Sequence, residues 1–154
     1  MGMVDRQEVL KYFSEIEYAA HTQNWLNDIR MARDLFTHDS DVYVILFPFM
    51  YTVLEDVIRS STDNYGQLKS GENNDDKKVG NGLIKFAIEN SVDDEQRHLL
   101  EEIKKKYYGK FDLDLSGGNR NNVLHGVVPP YYWTKEDFQD LMKNIAAISR
   151  YMRI

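Results

Sequence analysis

Val42-Tyr43-Val44-Ile45-Leu46-Phe47-Pro48-Phe49-Met50-Tyr51-Thr52-Val53-Leu54 is the longest apolar run in this chain of 154 residues. It is well short of the ~20 residues that span a bilayer, and Pro48 interrupts it. A run of this length reads as a buried core helix. Its centre (Val44, Ile45, Leu46, Phe47, Phe49, Met50) is apolar on every face, which marks the middle of the core. Asp39 or Ser40 can cap its start, and it should run to about Ser60 with a kink at Pro48.

The flanking segments also read as helical. Residues 4–37 carry apolar side chains at helical spacing: Val9, Phe13, Ile16 and Ala20, then Leu26, Ile29 and Leu35. They form one long helix or two with a break near His21–Asn24. Residues 61–82 are rich in Ser, Asn, Asp, Gly and Lys and predict a long polar loop. Leu83–Asn90 is a short helix. Asp93 and Asp94 favour the start of another, with Leu99, Leu100, Ile103 and Tyr107 as its buried stripe and an end near Gly109. Lys104, Lys105 and Lys106 in its last turns read as a solvated helix end or an RNA-binding patch. After a loop at 111–119, a short helix stops before Pro129-Pro130. Thr134 with Asp137 resembles a capping pair for the last helix, whose stripe is Phe138, Leu141, Met142, Ile145, Ile148 and Met152. No segment alternates like a strand. The expectation is one all-α domain over residues 1–154, a compact antiparallel bundle of about five to six helices.

Composition narrows the chemistry. The chain has no cysteine, so disulfides, thiolate metal sites and a cysteine nucleophile are excluded. Residues 1–6 carry no apolar signal core, and Arg6 breaks the myristoylation pattern, so a cytoplasmic protein that does not enter a membrane is expected. The net charge of −6 argues against broad electrostatic binding to nucleic acid. The distribution is uneven. Residues 1–96 carry 9 basic and 18 acidic side chains, net −9, whereas residues 97–154 carry 10 and 7, net +3.

The positive part holds Asn119-Arg120-Asn121-Asn122-Val123-Leu124-His125-Gly126, just past the pair Gly117-Gly118. Arginine is a permanent cation with a fork that fits a phosphate. Histidine gives and takes protons near neutral pH. At about 100° per residue, Arg120 and His125 lie on different faces of a helix, whereas Asn121 and His125 share one. Arg120 falls in the first turn, where backbone amides favour an anion. Asn121 can orient the histidine or a phosphate oxygen, while Val123 and Leu124 anchor the turn in the core. No Gly-rich phosphate loop, His-Glu-x-x-His or Gly-x-Ser-x-Gly pattern is present, and no cofactor or metal site is expected.

This segment resembles the signature of the HEPN superfamily (higher eukaryotes and prokaryotes nucleotide-binding): Arg, a polar residue, three to five further residues, then His, commonly followed by Gly. Arg120, Asn121, His125 and Gly126 match. The surroundings are similar too: an all-α domain, the motif before the last long helix, and an upstream apolar helix carrying an acid, here Glu55 or Asp56. The resemblance implies a metal-independent endoribonuclease of a prokaryotic toxin or anti-phage defence system. It also implies a homodimer with both motifs facing a shared cleft, and an antitoxin or defence-complex partner. The subset with Tyr two positions after the His is modified there; Val127 holds that place in this chain.

In that reading His125 is the general base on the ribose 2′-OH, Arg120 holds the scissile phosphate, and Asn121 positions one of them. Plainer readings stay open: His125 satisfied at a helix end, Arg120 in a surface ion pair, Glu55 and Asp56 in an ion pair or solvent. His21, His38 and His98 read as structural or exposed. Tyr131, Tyr132 and Trp133 read as packing after the proline turn, as a dimer contact, or as a base-stacking surface. The alternative functions are a module that binds RNA or nucleotide without cutting it, and a structural subunit of a defence complex.

Overall fold

Capping side chains set several of the helix boundaries. The structure, a computed structural model, describes residues 4–20, 25–62, 79–109 and 117–152. Within it α1 spans Arg6–Ala20 and α2 spans Leu26–His38. The Asp39 carboxylate then accepts from the Asp41 amide and caps a 3₁₀ turn, Ser40–Val42, rather than the long helix itself. α3 follows at Tyr43–Ser61 and is continuous through Pro48, so the proline removes one ladder hydrogen bond without ending the helix.

α4 spans Gly80–Glu89, three residues earlier than the sequence predicts, and α5 spans Asp94–Tyr107. The five-residue α6 is Arg120–Leu124. A second 3₁₀ turn, Pro130–Tyr132, leads to α7 at Lys135–Ser149. Asp93 caps α5 by accepting from the Gln96 amide, and Thr134 caps α7 by accepting from the Asp137 amide. The fold is an all-α helical bundle. It has seven α-helices among the described residues because residues 4–38 form two. Most of the 61–82 loop and the 111–119 loop lies outside the described residues, as does the break at His21–Asn24. No helix among the described residues is long and apolar enough to cross a membrane.

α7 is the organising element, packed against α1 on one side and α3 on the other. Its Phe138 joins a chain of rings that crosses the core: Phe13 to Phe36 at 5.9 Å, Phe36 to Phe138 at 5.9 Å, and Phe138 to Phe47 at 5.3 Å. The chain continues from Phe47 to Tyr51 at 6.0 Å and on to Tyr107 at 5.8 Å. All six rings are fully or almost fully buried, and such offset or edge contacts add to the area term.

Two expected core positions are corrected. Leu35 is exposed, and Phe36 takes its place. At 100° per residue Phe36 lies about 20° from Ile29, whereas Leu35 lies about 120° away. Ile45 is 76% exposed, so the first turn of α3 keeps a solvent face although Leu46, Phe47 and Met50 are buried. Gln96 is buried despite its polarity; its amide accepts from the Val92 N–H and donates to the Ser61 carbonyl, tying α5 to the end of α3.

Burial pushes the Tyr107 and Tyr108 phenols above the ordinary value of 10.0. For Tyr108 the Glu55 charge adds to the effect. The folded state therefore holds both phenols neutral, and their contribution to stability is complete below the unfolded value near pH 10. Above it, stability should fall by about 1.4 kcal/mol per pH unit for each tyrosine as the unfolded chain ionises. Urea midpoints between pH 9 and 11.5 read this loss, and Tyr107→Phe should make it shallower.

Candidate functional site

α3 hangs the motif from one face. Tyr51 and Glu55 are four residues apart and point the same way. The Tyr51 hydroxyl donates to the Gly117 carbonyl at 2.6 Å, and Glu55 pairs with the Arg120 guanidinium at 2.7 Å. Gly117 lies against the Phe47 ring, so the chain reaches α6 directly off the aromatic core.

At the start of α6, the Asn119 side chain accepts from the Asn122 amide and caps the helix. That amide is therefore occupied, and five residues are too short to build a strong dipole. The helix start thus offers an anion one amide fewer and a weaker dipole than a long helix would. Val123 is buried and Leu124 packs against the core, as expected. Asn122 is buried as well, which the sequence does not signal.

The other end of α6 places His125. Val127 donates to the Asn122 carbonyl and Gly126 to the Val123 carbonyl, and Gly126 has φ +64°. This is a Schellman termination with glycine in the left-handed position, and His125 is its C-cap. The His125 side chain is exposed. A Cβ at residue 126 would meet nothing within 4 Å, so only backbone strain opposes it. Gly126→Ala should cost about 1–2 kcal/mol in denaturant unfolding, and Gly126→Asn less.

Arg120 is held on several sides. Its side chain and that of Glu55 are only 14% and 13% exposed. One Nη binds Glu55 and the other donates to the Asn121 Oδ1 at 3.1 Å. The guanidinium stacks over the Tyr108 ring at 5.4 Å. Asn121 Nδ2 donates to the Gly109 carbonyl at 3.2 Å, and Glu55 also accepts the Gly80 amide at 3.0 Å. The ends of α4 and α5 thus converge with α3 on one arginine.

The three candidate residues divide accordingly. Asn121 serves Arg120 and Gly109 rather than the His125 ring, which corrects one of its two expected roles. Arg120 is in an ion pair, but a largely buried one. Of the two neighbouring acids Glu55 and Asp56, Glu55 is the one that pairs with Arg120. Tyr108, Gly109 and Gly80 carry no signal of their own in the sequence, since they reach the site only through the packing of α4 and α5. Of the aromatic trio, Trp133 is buried against Phe47 at 5.7 Å, while Tyr131 is 90% exposed and Tyr132 is exposed beside it. Comparison of the chain with protein-family models, curated proteins and solved structures finds no match.

Proposed function

We propose that this protein is a HEPN-like endoribonuclease that cuts RNA without a metal, acting in the cytoplasm in a toxin or defence setting. The supporting observation is the construction of α6: a charge-matched arginine fixed at one end and a solvent-accessible histidine fixed at the other. His125 takes the proton from a ribose 2′-OH. The 2′-oxygen forms a bond to the adjacent phosphorus and the bond to the 5′-oxygen breaks, leaving a 2′,3′-cyclic phosphate. Arg120, oriented by Asn121 and Glu55, stabilises the charge that develops on the phosphate. The 5′-oxygen leaves as a hydroxyl, its proton supplied by His125 of a second copy in a homodimer whose motifs share a cleft. The exposed Val127, Tyr131 and Tyr132 follow His125 closely in the chain and offer an apolar surface for that contact.

One observation favours a second reading, a module that binds RNA or nucleotide without cutting it: the Arg120 charge is already matched by Glu55, so a phosphate must compete with a carboxylate. A DNA strand carrying a single ribonucleotide separates the two. Nucleolytic attack by the 2′-OH cuts only 3′ of that ribonucleotide, in EDTA, and leaves all-DNA intact. Cutting of all-DNA, or no cutting despite binding, would remove the proposal.

A further inference from the structure

A cavity of about 420 Å³ lies between α4 and the end of α5, lined by Ile88, Glu101, Lys104, Lys105, Tyr108 and Gly109. Two of these residues are also walls of the motif site. The Tyr108 ring packs under the Arg120 guanidinium, and the Gly109 carbonyl holds Asn121. The cavity and the motif are therefore neighbours, separated by one residue pair.

The three lysines of the α5 end are not alike. Lys106 pairs with Asp140 at 3.1 Å. Lys104 and Lys105 make no ion pair among the described residues, and both line the cavity. With Glu101 in the same wall, the cavity carries one uncompensated positive charge. That matches a phosphodiester, which carries one negative charge. An ammonium is a compact point charge suited to phosphate without demanding a fixed orientation.

We propose that this cavity is a backbone subsite for RNA, holding a phosphodiester next to the scissile one. This rests on the ribonuclease reading and extends it: the strand crosses the Tyr108–Gly109 wall, with Lys104 and Lys105 on one side and Arg120 and His125 on the other. The lysines fix the register of the strand, and the bases play no part in this contact.

The test uses a fluorescein-labelled 2′-O-methyl RNA oligomer, which binds as a single strand but has no 2′-OH to attack. Its affinity is measured by anisotropy across a salt series for the full chain, for the double variant Lys104→Gln/Lys105→Gln, and for Lys11→Gln/Lys143→Gln. The last pair removes the same charge from exposed positions on α1 and α7. Thermal melts establish that all three are folded. The cavity variant should bind about tenfold more weakly, with a log–log salt slope smaller by about 0.7, and the control pair should stay within about twofold. Equal weakening of both pairs, no weakening of the cavity variant, or no binding by the full chain overturns the subsite. Cleavage of unmodified RNA is followed in parallel. Cleavage without a cavity effect overturns the subsite alone. A cavity effect without cleavage supports a phosphate site and overturns the ribonuclease reading on which its register was argued.

Discussion

Gly117→Ala is expected to destabilise the protein by about 3 kcal/mol. Gly117 has φ +98°, which costs an L-residue roughly 1–2 kcal/mol. A Cβ there would lie 2.9 Å from Cζ of Phe47, with two further ring carbons at 3.1 and 3.3 Å. Phe47 is fully buried among Tyr43, Tyr51, Trp133 and Phe138, so its ring has nowhere to go. Overpacking of this kind adds about 1–3 kcal/mol. For a chain of this size the melting temperature should fall by about 10 °C. The substitution also pushes on the carbonyl that Tyr51 holds, so α6 should shift and cleavage should fall further than the unfolded fraction accounts for. A melting temperature within about 2 °C of wild type would contradict the packing described for this turn.

His125→Ala is expected to act in the opposite sense, on activity and not on folding. Removing a placed proton-transfer group typically costs about 10²–10⁴-fold in rate. The side chain is exposed at the end of α6, and the Schellman turn is built from backbone atoms and Gly126. Stability should therefore change far less than for Gly117→Ala, by about 1 kcal/mol or less. Single-turnover cleavage with saturating RNA isolates the chemical step, and a denaturant titration of the same preparations reads the fold. Retained cleavage would remove His125 from the mechanism. Lost cleavage together with a large stability loss would make it a structural residue.

Much of the fold was legible because single helices announce themselves. The stripe of α7 and its Thr134 cap, the Asp93 cap of α5, and the apolar run of α3 all follow from local spacing. What stayed hidden depends on how helices meet. In α2 the register with Ile29 does favour Phe36 over Leu35, and taking Leu35 overlooked that spacing, but which neighbour the Phe36 ring meets follows only from the packing against α7. Gln96 looks like a surface residue until α5 is laid against the end of α3.

The candidate site divides the same way. Arg120, Asn121, His125 and Gly126 stand within seven positions and could be read together. Gly126 even has a backbone reason to be glycine. Their supports come from far away: Glu55 from α3, Tyr108 and Gly109 from the end of α5, Gly80 from the start of α4. One local clue pointed to Glu55 or Asp56 without choosing between them, two carboxylates set in the apolar stretch Val53-Leu54-Glu55-Asp56-Val57-Ile58. A charge in such a place needs a partner, but only the fold shows that the partner is Arg120.

The most direct test of the account is the chemistry of the ends. Mixed-sequence single-stranded RNA is incubated with the protein in EDTA, and the fragments are weighed by mass spectrometry. The account predicts a 2′,3′-cyclic phosphate on each upstream fragment and a 5′-hydroxyl on each downstream one, from wild type and not from His125→Ala. Fragments with 5′-phosphates, identical fragments from both proteins, or intact RNA throughout would contradict it.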